Sequence, residues 1–158
     1  MGVALRAIGH RMYVSVVQFI KSRSSAPTGE ARAAERLAPE LEFVSLGRGF
    51  VSCCGDTTPI AEHKKTAAKA LELARQRMLS GAWDVLILDE ITTAAALGLL
   101  DSADILTLIR SKPPKLHLIL TGRDAHPDLV AVADMVTEMR SLKHPYESGI
   151  PARKGIDF

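Results

Sequence analysis

Two acidic residues stand side by side at Asp89 and Glu90, directly after the unbroken apolar run Val85-Leu86-Ile87-Leu88. Adjacent carboxylates attract a cation, and Mg²⁺ is typically held by one or two carboxylates together with phosphate oxygens and water. The same residues also fit a simpler role at the end of a strand, where Asp89 is a competent N-cap for the helix that follows.

The element that must carry the pair is a strand. Four branched apolar residues in succession suit a strand buried on both faces of a parallel sheet. Ligands of open α/β sheets bind beyond the carboxyl ends of the strands, which is where Asp89 and Glu90 would lie. Apolar residues ending in Asp-Glu are the Walker B arrangement of phosphate-handling enzymes, in which a carboxylate holds Mg²⁺ directly or through water and can polarise a nucleophile.

Around that strand the patterning predicts a helix over Gly2 to Ile8 closed by Gly9, a strand from Met12 to Phe19 and a Ser/Pro/Gly loop from Lys21 to Gly29. A short helix from Glu30 to Leu37 and a strand from Leu41 to Leu46 follow, then a turn at Gly47-Arg48-Gly49-Phe50. The longest helix is expected from Thr58 to Leu79, with Pro59 in its first turn and Gly81 at its stop. Beyond the central strand come helices at Ala94 to Leu100 and Ser102 to Ile109, the breaker Pro113-Pro114, and a strand from Lys115 to Thr121. A helix from Pro127 to Ala133 and a last strand from Met135 to Met139 complete the pattern. Strands alternating with helices mean βαβ units, hence an α/β fold with a mainly parallel sheet flanked by helices. The tail from Lys143 holds Ile150, Ile156 and Phe158, so it is expected to pack along the domain, with Lys143 and His144 tethering it through hydrogen bonds.

Composition narrows the classes. A chain of 158 residues suits one domain, large enough to bury roughly two thirds of its unfolded surface. A formal net charge of +2 is too small for a dedicated nucleic-acid or membrane surface. No apolar stretch reaches the roughly 18 residues that span a bilayer, and the N-terminus has no secretory h-region, so a cytoplasmic protein is expected. Cys53 and Cys54 are sequence neighbours, poorly spaced for a disulfide and half of a structural zinc site, and are read as free thiols. His10, His63 and His117 are scattered, which argues against a histidine metal cluster.

Several short pieces fall into one order: Val17-Gln18-Phe19-Ile20-Lys21, Gly49-Phe50, Leu88-Asp89-Glu90, Thr121-Gly122-Arg123, Ala133-Asp134, Thr137-Glu138-Met139, Lys143-His144-Pro145, and Gly149 with Gly155-Ile156-Asp157. In that order they resemble the corrinoid adenosyltransferase family, which acts on cob(I)yrinic acid a,c-diamide and cob(I)alamin. The resemblance implies a RecA-like P-loop NTPase fold and transfer of the 5′-deoxyadenosyl group of ATP to Co(I), with release of triphosphate. It implies ATP as co-substrate, Mg²⁺ or Mn²⁺ as metal, and a reduced corrinoid as substrate. It further implies a flavin-dependent reductase as partner and a homodimer. By residue, it places Glu90 and Asp89 on the metal, Arg123 on phosphate beside Glu90 as the catalytic pair, and Gln18, Thr121 and Gly122 in the nucleotide pocket. Phe50 would lie against the corrin, excluding water and the lower axial ligand. Without the resemblance Phe50 reads as a core anchor, Gln18 as a strand-end polar residue and Arg123 as a surface ion-pair partner.

Departures from the family pattern carry expectations of their own. The Gly-Lys-Gly-Lys-Thr-Thr type phosphate loop and its strand, which in the family stand just before the segment matching Gly2, are missing here, so a longer natural polypeptide is expected and little turnover from this chain alone. Ser52 stands where many members have an aromatic residue, and Thr92-Thr93 replaces an Asn-Tyr or Thr-Tyr pair. Two other readings compete: a corrinoid-binding module without catalysis, and another RecA-like ATPase that uses Glu90 to activate water.

Overall fold

In the computed structural model, residues 1–22, 28–49, 51 and 57–156 are described. Four strands, β1 (Val14–Ser22), β2 (Leu41–Gly47), β3 (Val85–Asp89) and β4 (His117–Leu120), form one sheet in the spatial order β2-β1-β3-β4. All three pairings are parallel. Helices α1 (Gly2–Ile8), α2 (Gly29–Arg36), α3 (Ile60–Leu79), α4 (Ile91–Ala96), α5 (Ser102–Arg110) and α6 (Pro127–Val132) connect and cover the strands, and a 3₁₀ turn spans Pro145–Ser148. None of these helices is long and apolar enough to cross a membrane.

Alternation along the strands decides what each face buries. Val14 and Val16 of β1 and Val85 and Ile87 of β3 meet Ala4 and Ala7 of α1 and Ala34 of α2 on one face. Val17, Phe19, Leu86 and Leu88 point the other way, onto Ala67, Ala70, Leu71 and Ala74 of α3 and onto Ile91, Ile105 and Leu108 of α4 and α5. Small alanines on α1 and α3 face the sheet and are buried against it. At the amino end of the sheet, Glu42 accepts from Arg77 of α3 (2.8 and 2.7 Å) and from the fully buried Ser15 hydroxyl (2.9 Å). This forked ion pair pins α3 across β2 and β1.

Start and stop signals work as chemistry requires at most positions. Thr28 caps α2 and Asp101 caps α5 through side-chain oxygens, and Gly81 takes a left-handed φ of 71° just beyond α3. Gly9, expected to end α1 in that way, is right-handed (φ −58°); the left-handed residue is Arg11 (φ 60°).

Two further expectations fail. Residues 135–139 form no strand, and Met135 and Met139 are 85% and 93% exposed. Residue pattern is not sufficient for a strand: a ladder partner is required, and the outer edge of β4 is unpaired among the described residues. Nor do residues 140–156 of the tail pack along the domain. Residues 140–156 are exposed, and Ile156 is 81% open to solvent. The tail instead folds locally, His144 Nδ1 accepting from Tyr146 N (3.1 Å), around a hollow of about 360 Å³ that none of the carboxyl-edge residues lines.

Candidate functional site

Strand register brings the site together. Gln18 of β1 is the Cα partner of Ser45 of β2 on one side and of Asp89 of β3 on the other. Their side chains share a sheet face at the carboxyl edge and bond in sequence. The Ser45 hydroxyl donates to Gln18 Oε1 (2.7 Å), and Gln18 Nε2 donates to Asp89 Oδ2 (2.8 Å). From the far side Thr121, just beyond β4, donates its hydroxyl to Asp89 Oδ1 (2.8 Å) and accepts from Glu90 N (3.1 Å). Both oxygens of Asp89 are thereby engaged by protein donors.

Glu90 is arranged oppositely. It stands in the N-cap place of α4 with a left-handed φ of 64°, rare for a residue with a Cβ, and its side chain makes no capping bond. Asp89 ends β3 and does not cap, so the simple capping role fits neither acid. Glu90 Oε2 is buried with no hydrogen-bond partner, an arrangement that costs stability unless a cation or donor arrives. Burial first, and then the neighbouring Asp89 charge, push the Glu90 carboxyl above its usual range, while Lys21 and Arg123 pull it back. Cationic side chains from β1 and from the loop after β4 therefore both act on the carboxylate.

Close packing holds the loop after β4. Arg123 N donates to Thr93 Oγ1 (2.8 Å), and Thr92 Oγ1 donates to Thr121 O (3.2 Å). Gly122 lies between them at φ 139°, so close that an added Cβ would collide with Thr92 Oγ1 and stand 2.7 Å from Thr93 N. A second such glycine, Gly47, packs against the Ile20 carbonyl beside the register shift that follows Gln18 in β1. It shapes the strand end that presents Lys21.

Of the residues singled out from the sequence, Gln18, Asp89, Glu90, Thr121, Gly122 and Arg123 gather at this edge, and Arg123 is exposed. Phe50 and Ser52 lie outside the described residues, as do Cys53 and Cys54. Sequence reasoning passed over Ser45 and Lys21 as site residues. Lys21 had a signal, ending the quoted strand motif; Ser45 is found only through its register with Gln18. The described residues contain no group of three or more His, Cys, Asp or Glu placed to hold a metal ion.

A parallel α/β sheet with carboxylates and cationic side chains gathered at its carboxyl edge places this chain among α/β proteins, which as a class bind ligands beyond the carboxyl ends of their strands. The chain belongs to the ATP:corrinoid adenosyltransferase BtuR/CobO/CobP family, whose family model matches residues 1–158. The family is one of transferases of cobalamin biosynthesis with ATP and a corrinoid as substrates. The chain is 37% identical over 159 residues to a corrinoid adenosyltransferase of Sinorhizobium, covering 99% of this chain and 72% of that protein. It is 36% identical to a corrinoid adenosyltransferase of Pseudomonas aeruginosa, over 99% of this chain and 75% of that protein. A corrinoid adenosyltransferase of Escherichia coli K12 is 32% identical, over 99% and 76% respectively.

Proposed function

We propose that this chain's carboxyl edge is where a RecA-like P-loop type site presents Mg²⁺-bound ATP to a Co(I) corrinoid, the 5′-deoxyadenosyl group passing to cobalt and triphosphate leaving. The carrying observation is Glu90: a buried carboxylate oxygen without a partner, acted on by Lys21 and Arg123 and next to an acid whose own oxygens are engaged.

That donor set fits Mg²⁺ or Mn²⁺. Such ions take one or two protein carboxylates and complete their shell with water and phosphate oxygens, so a third acidic or imidazole ligand is unnecessary. Bound there, the metal would supply charge neutralisation on the phosphate chain. Glu90 is the reaching ligand. Asp89, held on both oxygens, keeps a fixed negative charge beside it.

Co(I) is itself a strong nucleophile, so the protein's part is to orient the ribose carbon and to offset the leaving charge. Arg123 and Lys21 offset the charge on the departing triphosphate. Gln18 and Thr121 hold the Asp89 carboxylate in place, and Gly122 seats the Arg123 loop on α4. The bond formed joins cobalt to the ribose C5′ carbon, and the bond broken joins that carbon to the α-phosphate oxygen, whose electron pair leaves with triphosphate.

The test is to incubate the product of the complete gene with ATP, Mg²⁺ and cob(I)alamin under strong reductant. The expected product has the light-sensitive spectrum of a cobalt–carbon bond, formed with one triphosphate per turnover, and Glu90→Gln suppresses it. Release of ADP and phosphate would replace this reading with water activation by Glu90. Full activity in Glu90→Gln would remove the metal role.

A further inference from the structure

Four residues, one each from β2, β1 and β3 and one just beyond β4, form a single hydrogen-bonded line across the sheet: Ser45, Gln18, Asp89 and Thr121. The polarity of that line is forced from its middle. An ionised Asp89 can only accept, so Gln18 must turn its NH₂ toward Oδ2, and its carbonyl oxygen must then face β2. There Ser45, whose hydroxyl can rotate to suit, donates to it at 2.7 Å. Gln18 is only 4% exposed, so water has little access to replace a lost donor. A flipped amide would set its carbonyl oxygen against the Asp89 carboxylate.

We infer that Ser45 is a positioning residue for the divalent-cation site. It locks the Gln18 amide, which holds Asp89, and so keeps the Asp89–Glu90 turn in the geometry that leaves Glu90 free to ligate. This rests on the metal reading of the preceding section. Ser45 itself touches neither cation nor nucleotide in this arrangement and acts through Gln18. Outer-shell partners of this kind alter metal affinity by about 10- to 100-fold.

The experiment is a titration of the protein with Mn²⁺ alone, free Mn²⁺ being read by electron paramagnetic resonance, with thermal melts confirming that each variant is folded. Ser45→Ala weakens Mn²⁺ binding by about 10- to 100-fold, while Ser45→Thr, which keeps the hydroxyl, binds as the parent does. Gln18→Met weakens binding as well, and adding Ser45→Ala to it has no further effect, because the hydroxyl works only through the amide. Parent-like affinity in Ser45→Ala, an equal loss in Ser45→Thr, or independent losses that add in the double variant each overturn the proposal. Glu90→Gln separates the two levels. If it loses Mn²⁺ while Ser45→Ala does not, the line across the sheet is wrong and the metal site stands. If Glu90→Gln binds as the parent does, the metal site and the role of Ser45 fall together.

Discussion

Replacing Gly122 by alanine tests whether the loop after β4 is held by contact with α4. The new Cβ would meet Thr92 Oγ1 and stand 2.7 Å from Thr93 N and 2.8 Å from Thr93 Oγ1. Thr93 N is backbone, so rotamer changes alone cannot relieve the clash, and overpacking of this sort costs about 1 to 3 kcal/mol. At φ 139° the backbone conformation adds about 1 to 3 kcal/mol for any residue with a Cβ. Taking about 3 kcal/mol in total, a chain of this size loses roughly 6 to 12 °C in melting temperature. Gly98→Ala is the control, since that glycine has a positive φ of 67° but open space around its would-be Cβ. Its loss reports left-handed backbone strain alone, and the excess loss in Gly122→Ala reports the clash together with the costlier φ of 139°. Backing the loop away from α4 also breaks the bond from Arg123 N to Thr93 Oγ1 and draws Thr121 off Asp89, so cobalt–carbon bond formation falls further than Gly98→Ala lowers it. Equal melting temperatures for Gly122→Ala and Gly98→Ala, measured by calorimetry, would refute this account of the loop.

Because the folded-state pKa of Glu90 is raised, its contribution to stability is present below the usual value of 4.5 and lost as pH rises through the raised one. Glu90→Gln is therefore expected to melt higher than the parent at neutral pH in the absence of metal. That advantage fades as the pH falls toward 4.5, and a constant difference across the range would contradict it. Removing Glu42 leaves the buried Ser15 hydroxyl without its acceptor and Arg77 without its fork, so Glu42→Ala should cost about 1 to 3 kcal/mol in urea unfolding. Arg77→Lys, which keeps the charge but loses the two-point geometry, should cost less. Leu86→Ala, on a side chain fully buried in the central strand, should cost about 2 to 5 kcal/mol. Leu79→Ala, at 60% exposure on the end of α3, should change stability by no more than about 0.5 kcal/mol.

Most elements were legible in the residue pattern because each carries its own local signal. The run Val85 to Leu88 reads as a doubly buried strand, and it is one, with all four residues buried. The α3 pattern reads to within two residues at its start and ends where predicted. The resemblance carried by Thr121-Gly122-Arg123 and Leu88-Asp89-Glu90 led to the family in which the chain belongs. Failures came where the outcome depends on a distant partner. Residues 135–139 have a strand-like pattern but no ladder to join among the described residues, and Ile150 and Ile156 of the tail find no core surface.

At the carboxyl edge the division is sharper. Residue types alone determined that two acids follow a buried strand and that a glycine separates Thr121 from Arg123. Which acid is engaged and which is free was decided by tertiary structure. Parallel register sets Gln18 between Ser45 and Asp89, residues 27 and 71 positions away in the chain. The left-handed turn at Glu90 carries its carboxylate into a buried place without a donor. A local pattern records which face a side chain takes, because strand geometry repeats every two residues. It holds no record of which strand lies alongside, because that follows from how the helices pack the sheet together.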